Sequence, residues 1–154
     1  MPEDVVMREV YESRSEGDTE RIAAGLSEKL SGGEIIAFNG GLGMGKTAFV
    51  RGLARALGFK GEVSSPTFAL MNEYIGGRLA VYHFDMYRIE TWDDLYSSGY
   101  FEYSEMGGVL AAEWSENIES ALPDDAIRVT FERKGENERV ITIERREADE
   151  NTRN

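Results

Sequence analysis

The residues best suited to chemistry lie in one glycine-rich segment, Gly40 to Thr47, which reads Gly-Gly-Leu-Gly-Met-Gly-Lys-Thr. It fits the pattern G-x-x-x-x-G-K-[ST], in which backbone N–H groups surround the phosphates of a nucleotide. Glycines allow the backbone to fold closely around an anion. We therefore expect a phosphate-binding loop in which Lys46 reaches the β- and γ-phosphates and the Thr47 hydroxyl binds Mg²⁺. Its remaining binding positions are Gly41, Leu42, Gly43, Met44 and Gly45.

Two carboxylates are candidates to complete a magnesium site, because Mg²⁺ needs further oxygen ligands. Asp85 follows the apolar run Leu79 to Phe84, and Glu113 follows Val109 to Ala112. The carboxyl ends of strands are where α/β sheets bind ligands. We predict that one acid lies on or near the metal and the other positions the attacking water, and the spacing leaves their assignment open. The candidate catalytic residues are Lys46, Asp85 and Glu113, and the candidate metal ligands are Thr47, Asp85 and Glu113.

His83 is the only histidine and lies inside the strand pattern that ends at Asp85. A histidine within a strand is more often packed than catalytic, so we predict a structural role for it.

The elements around the glycine-rich segment have the required order of strand, loop and helix. Glu34 to Phe38 is a short apolar run typical of a buried strand. A helix is predicted from Lys46 to Leu57, with Gly58 as its stop. An earlier strand is predicted within residues 5–11, followed by a helix from Thr19, as its cap, to about Leu30.

The rest of the chain alternates strand and helix signals. Thr67 to Ile75 and Arg78 to Asp85 predict two strands joined by a tight turn at Gly76-Gly77. Thr91 and Asp94 resemble a capping box for a helix from Trp92 to Ser98. Val109 to Glu113 predicts another strand, and Ile127 to Arg133 with Arg139 to Arg145 predicts a final hairpin. We expect one α/β domain over residues 1–146 and a polar, frayed tail over residues 147–154.

Composition excludes several classes of function. The chain has 154 residues, no cysteine and a net charge of −12, from 29 acidic and 17 basic residues. Disulfides and thiol chemistry are excluded, and no stretch approaches the ~18–20 apolar residues of a membrane span. The acidic surface opposes direct binding of DNA or RNA, so the charge either maintains solubility or forms a face for a basic protein partner. The N-terminal residues carry no export signal, and we expect a cytoplasmic protein.

The nucleotide is predicted to be ATP. GTPases recognise guanine through an Asn-Lys-x-Asp segment, which does not occur in this sequence. Three functions remain open from the residues alone: an ATPase, a small-molecule kinase, and a nucleotide-dependent binding module without turnover. A kinase of this size usually carries an arginine-rich lid, and none is evident here.

From Glu12 to Glu144 the chain resembles the bacterial TsaE (YjeE) family of small P-loop ATPases, which are required for threonylcarbamoyladenosine modification of tRNA position 37. The resemblance rests on the glycine-rich segment, on Ser65-Pro66-Thr67-Phe68, on Tyr82 to Arg88 (Tyr-His-Phe-Asp-Met-Tyr-Arg), and on Glu113-Trp114. It implies a mostly parallel P-loop sheet with appended antiparallel strands and flanking helices.

The resemblance also implies residue roles and partners. Thr47 and Glu113 match the family's Mg²⁺ positions, Asp85 matches its Walker B-like acid, and Trp114 matches a residue beside the nucleotide. The expected partners are TsaD and TsaB, with tRNA reached only through their complex. Gly41 and Met44 depart from the family's usual acidic and small residues, but backbone amides make the phosphate contacts, so we expect binding to survive. We further hypothesise that Thr67 lies on a switch segment sensing the γ-phosphate.

Overall fold

Seven strands form one mixed sheet in the computed structural model, which describes residues 4–40, 45–64, 66 and 70–148. The strands are β1 (Asp4–Ser13), β2 (Ile35–Asn39), β3 (Met71–Tyr74), β4 (Val81–Asp85), β5 (Val109–Glu113), β6 (Ile127–Arg133) and β7 (Arg139–Ala148). Their order across the sheet is β1-β7-β6-β2-β5-β4-β3. Strands β6, β2, β5 and β4 pair in parallel, while β1, β7 and β3 pair antiparallel at the two sides. The predicted α/β fold, a parallel sheet with appended antiparallel strands, is confirmed.

Helices cover both faces of the sheet. They are α1 (Glu16–Ser27), α2 (Lys46–Ala56), α3 (Trp92–Ser98), α4 (Tyr100–Ser104) and a 3₁₀ helix (Ser115–Ala121). Helices α1 and α2 pack on one face over a core that includes Phe38, Phe49 and Phe131, whose rings lie 5.5–5.9 Å apart. The other face buries Phe84 and Leu110 against α3, α4 and the 3₁₀ helix. None of the helices in the described part of the chain is long and apolar enough to cross a membrane.

Side chains alternate between the two faces along each central strand, as the period of two requires. In β4, Tyr82 and Phe84 belong to the core under α3 and α4, whereas Val81 belongs to the core under α1 and α2. His83 and Asp85 therefore lie on the α2 side of the sheet. This alternation decides which polar side chains can reach the start of α2.

Helix α1 begins earlier than predicted. Ser15 is its cap, with the hydroxyl accepting from the Asp18 N–H at 3.0 Å, so the prediction of Thr19 as the cap is wrong. Thr19 instead lies buried in the first turn, 2.7 Å from the Ser13 hydroxyl. The Asp18 carboxylate also accepts from the Arg14 N–H at 2.9 Å, so Asp18 binds the chain on both sides of the cap.

The hairpin of β3 and β4 forms, but its turn differs from the predicted one. Tyr74 pairs with Val81, so six residues connect the strands instead of a two-residue turn. Gly77 is required for packing and not for a tight turn. A Cβ at this position would lie 2.3 Å from the Leu57 carbonyl oxygen, because the connection packs against the end of α2. The predicted strand residues Thr67 to Ala69 lie outside the described residues.

The capping box at α3 is confirmed: the Asp94 N–H donates to the Thr91 hydroxyl at 3.0 Å and the Asp94 carboxylate accepts from the Thr91 N–H. The final hairpin is also confirmed as β6 and β7. Strand β7 continues to Ala148, opposite Asp4 of β1, and so extends two residues beyond the predicted end of the domain at 146.

Candidate functional site

The glycine-rich segment connects β2 to α2, as its sequence predicts. Strand β2 is buried along Ile35–Phe38, and α2 starts at Lys46 with Gly45 as its cap. Gly41, Leu42, Gly43 and Met44 lie outside the described residues. The described ends of the loop both have positive φ angles, 136° at Gly40 and 91° at Gly45, where glycine is favoured. At Gly40 a Cβ would also lie 2.9 Å from the Phe131 carbonyl oxygen.

Lys46 lies at the centre of this site. The residue is only 7 % exposed, and its ammonium donates to the Gly40 carbonyl oxygen at 2.6 Å. The ammonium also lies 5.7 Å from the centre of the Trp114 ring, within the range of a cation–π interaction. The Lys46 ammonium thus contacts Gly40, at the start of the loop, and lies near Trp114, the residue that follows β5. Thr47 follows in the first turn of α2 and is half-buried.

Asp85 and Glu113 end neighbouring parallel strands and are paired residues in the register of β4 and β5. Paired residues of adjacent strands project to the same face, so both carboxylates lie on the α2 side at the carboxyl edge of the sheet. One Asp85 oxygen accepts from the Tyr87 N–H at 3.0 Å, which fixes the carboxylate at the strand end. A Glu113 oxygen lies 2.6 Å from His83 Nε2.

Trp114, the residue after Glu113, has φ 58° and ψ 40°, the left-handed conformation. Among the described residues it is the only non-glycine with positive φ. Such a conformation costs a side chain about 1–2 kcal/mol and is most often retained at functional positions. Here it turns the chain out of β5 and places the indole between Lys46 and Tyr87, whose ring centre is 4.9 Å away.

Hydrogen bonds from the 3₁₀ helix stabilise this turn. The Ser115 hydroxyl is fully buried and donates to the Phe38 carbonyl oxygen at 3.0 Å, at the end of β2. The Asn117 side chain donates to the carbonyl oxygens of Met86 and Tyr87, after β4. The segments that follow β4 and β5 are therefore linked to each other and to the strand that leads into the loop.

The structure brings together the described residues predicted from sequence: Gly45, Lys46 and Thr47 at the start of α2, and Asp85, Glu113 and Trp114 at the adjoining strand ends. Of the Ser-Pro-Thr-Phe motif only Pro66 is described, and it is buried; Thr67 lies outside the described residues, and its switch role stays a hypothesis.

Sequence reasoning missed one contact in this site. His83 is fully buried, in agreement with a packed histidine, but its ring contacts Glu113 directly. The available signal was its position two residues before Asp85, which places both side chains on one face of a strand.

Thr47, Asp85 and Glu113 carry oxygen atoms of the kind that Mg²⁺ binds. No three His, Asp or Glu side chains are grouped as a metal site within residues 4–40, 45–64, 66 and 70–148. Mg²⁺ is usually held by one or two carboxylates together with phosphate and water oxygens. A hydroxyl at Thr47 and carboxylates at Asp85 and Glu113, beside a buried lysine, match that mode.

Comparison with known proteins gives a consistent set of matches. The family model described as Threonylcarbamoyl adenosine biosynthesis protein TsaE matches residues 13–141. Relatives named tRNA threonylcarbamoyladenosine biosynthesis protein TsaE include those of Treponema pallidum, 37 % identical over 85 % of this chain and 96 % of the relative, and Aquifex aeolicus, 40 % identical over 86 % and 92 %. The relative of Bacillus subtilis is 38 % identical over 82 % of this chain and 78 % of its own length.

A solved structure agrees with these matches. The crystal structure of YdiB from Bacillus subtilis superposes with a TM-score of 0.74 and 30 % sequence identity, covering 92 % of this chain and 87 % of YdiB. The similarity therefore extends over nearly the whole fold, including the strands that carry the candidate site.

Proposed function

Since this chain belongs to the TsaE family, we propose that it is a Mg²⁺-dependent ATPase that serves threonylcarbamoyladenosine biosynthesis on tRNA. One observation carries the proposal: Lys46 is buried with its ammonium on the Gly40 carbonyl and 5.7 Å from the ring centre of Trp114, the residue after Glu113. A buried cation in this position favours binding of the phosphate groups of a nucleotide.

Each described residue has a distinct role in this proposal. The first turn of α2 presents backbone N–H groups and the positive end of the helix dipole to the phosphates. Lys46 leaves the Gly40 carbonyl to bind the β- and γ-phosphates, and Thr47 supplies a hydroxyl for Mg²⁺. Bound Mg²⁺ neutralises charge on the phosphates, which is the chemistry that the metal supplies. One of Asp85 and Glu113 would hold the metal and the other would orient water, and Trp114 would lie beside the nucleotide.

The proposed partner is a TsaD–TsaB complex, and tRNA is reached only through it, in the cytoplasm where tRNA is modified. The net charge of −12 supports a protein partner with a basic surface over direct binding of tRNA. Electrostatic attraction across such an interface weakens as salt screens it, so we expect association to fall as ionic strength rises past about 0.15 M.

The two acids provide the first test. We expect Asp85→Asn and Glu113→Gln each to impair ATP hydrolysis, because both remove a charge while keeping the side-chain shape. A metal ligand shifts the midpoint of a Mg²⁺ titration, whereas a residue that orients water lowers the maximal rate at an unchanged midpoint. Hydrolysis that is unchanged in both variants, in rate and in Mg²⁺ dependence, would show that these carboxylates take no part in metal binding or hydrolysis.

The partner provides the second test. ATP hydrolysis is measured with the protein alone, with tRNA and with a matched TsaD–TsaB complex, each at low and high salt. We expect stimulation by the complex at low salt and none by tRNA alone. A kinase would instead respond to a small acceptor and ignore the complex, and a binding module would show no turnover in any mixture. Stimulation by naked tRNA would contradict the partner proposal.

A further inference from the structure

His83 connects the candidate site to a neighbouring loop. It lies in the middle of β4, fully buried, on the same face as Asp85. Its Nε2 is 2.6 Å from a Glu113 carboxylate oxygen. An ionised carboxylate only accepts hydrogen bonds, so Nε2 carries the hydrogen and donates it to Glu113. This bond restrains one of the two candidate acids of the site.

The other ring nitrogen faces Tyr74. Nδ1 of His83 lies 3.4 Å from the Tyr74 hydroxyl. Tyr74 is buried on β3, and the centre of its ring is 5.1 Å from that of the Phe59 ring. The same hydroxyl donates to the Ser64 carbonyl oxygen at 2.8 Å, and the Asn72 side chain donates to that oxygen at 3.0 Å. Ser64 directly precedes the Ser65-Pro66-Thr67-Phe68 motif.

These contacts form one continuous chain, from Glu113 through His83 and Tyr74 to Ser64. It crosses strands β5, β4 and β3 and ends on the loop that leads into the motif. The Tyr74 hydroxyl has one hydrogen, which it donates to Ser64, so its 3.4 Å approach to Nδ1 is a packing contact. The buried ring is thus held by a hydrogen bond at Nε2 and by this contact at Nδ1, and displacement of Glu113 must be accommodated by Tyr74 or by the loop. Chains of packed, hydrogen-bonded side chains are the physical route by which two sites become coupled.

We propose that His83 is a positioning residue: it orients the Glu113 carboxylate and, through Tyr74, couples that carboxylate to the backbone at Ser64. When Glu113 turns toward bound Mg²⁺ and nucleotide, the His83 ring shifts with it and changes the hydrogen bonds at Ser64. The inference rests on the proposed ATPase function for its kinetic consequences, while the contacts themselves are testable without nucleotide.

Two substitutions of similar size separate the two ring nitrogens. In His83→Gln the amide nitrogen takes the place of Nε2 and can still donate to Glu113. In His83→Asn the amide nitrogen takes the place of Nδ1 and cannot reach Glu113. Loss of a residue that orients a metal ligand typically costs about 10–100-fold. We expect His83→Asn to lower kcat in that range with KM for ATP within about 2-fold of the original, and His83→Gln to recover most of the rate.

Tyr74→Phe tests the second half of the chain. It removes the hydroxyl and keeps the ring that packs on Phe59. Hydrogen exchange of the backbone around Ser64 is followed with and without Mg²⁺ and a non-hydrolysable ATP analogue. We expect the analogue to change exchange there in the original protein, and the change to be absent in Tyr74→Phe although calorimetry still shows the analogue bound.

Nuclear magnetic resonance provides a readout without nucleotide, because a tag-free chain contains one histidine. We expect the imidazole of the nucleotide-free protein to show a hydrogen-bonded Nε2–H proton that disappears in Glu113→Ala. This measurement also decides the inference if His83→Asn fails to fold, since it uses His83 itself.

The outcomes are distinguishable from those of the proposed function. If the original protein hydrolyses no ATP with or without the partner complex, the proposed function fails, and the imidazole signal still decides whether His83 holds Glu113. Equal kcat in His83→Asn and His83→Gln, whether both retained or both lost, would overturn the positioning role. So would an imidazole spectrum unchanged by Glu113→Ala, or an exchange response at Ser64 that persists in Tyr74→Phe.

Discussion

Gly52 lies where the backbone of α2 packs closely against the backbone of α1. It is buried in α2, and a Cβ at this position would lie 2.4 Å from the Glu20 carbonyl oxygen and 2.5 Å from the Glu20 Cα of α1. Gly25, in α1, provides a matched control because it is exposed and a Cβ there would meet nothing within 4 Å. The same substitution, glycine to alanine in a helix, therefore differs between the two positions only in packing.

The expected free energies follow from two terms. Alanine stabilises a helix interior relative to glycine by about 0.5–1 kcal/mol, and this is the whole effect expected for Gly25→Ala. At Gly52 the methyl carbon needs about 3.5–4.0 Å from its neighbours, so the helices must separate by about 1 Å. Such overpacking typically costs about 1–3 kcal/mol, because backbone atoms cannot rotate away as a side chain would. We expect Gly52→Ala to lower the free energy of unfolding by about 1–2 kcal/mol net.

Urea unfolding followed by circular dichroism measures both changes. Equal m-values across the three proteins allow their midpoints to be compared directly. Since the helix term is shared, the difference between the two variants gives the steric cost alone. We also expect weaker binding of Mg²⁺–ATP by Gly52→Ala in calorimetry, because Lys46 lies six residues earlier on the same helix, about 9 Å along its axis. If Gly52→Ala is as stable as Gly25→Ala, the two helices do not pack as closely at Gly52 as in this structure.

Three further predictions concern the site and the capping of α3. Lys46→Ala should lower ATP turnover by about 100-fold or more, since it removes the charge aimed at the phosphates, while circular dichroism still shows a folded protein. Near-normal hydrolysis would refute the phosphate-loop assignment. In a Trp92→Phe variant, addition of Mg²⁺–ATP should change the fluorescence emission of Trp114 in a saturable way, because binding draws the Lys46 ammonium away from that ring. A flat titration, with binding confirmed by calorimetry, would place the indole away from the nucleotide. The Glu90 N–H donates to the Asp94 carboxylate and thereby lowers the pKa of Asp94. The ionised carboxylate therefore stabilises the fold at pH values above its unfolded pKa, and this stabilisation is lost as the pH falls through the lower pKa of the folded state. Asp94→Ala should therefore lower the thermal midpoint at neutral pH, with the difference disappearing in strong acid; a difference independent of pH would contradict the role of the charge.

The sequence by itself determined the elements of the fold whose signals are local. The buried run into Phe38, the glycines at 40 and 45 and the amphipathic α2 follow from short-range patterns, as does the capping box of Thr91 and Asp94. The family motifs determined the candidate site residues for the same reason, since each is recognisable within a few positions. A local signal failed at the start of α1, where Thr19 was predicted as the cap and the Asp18 N–H instead donates to the Ser15 hydroxyl.

Only the tertiary structure decided which distant residues meet. The order of β2, β5 and β4 in the sheet places Asp85 opposite Glu113, and no pattern of sequence spacing specifies that strand order. The same pairing brings His83 within 2.6 Å of a residue thirty positions away. Gly52 is similar, because its need to be glycine comes from the backbone of another helix. The physical reason is common to all three: contacts between residues far apart in the chain depend on how whole elements pack, and packing is a property of the folded core.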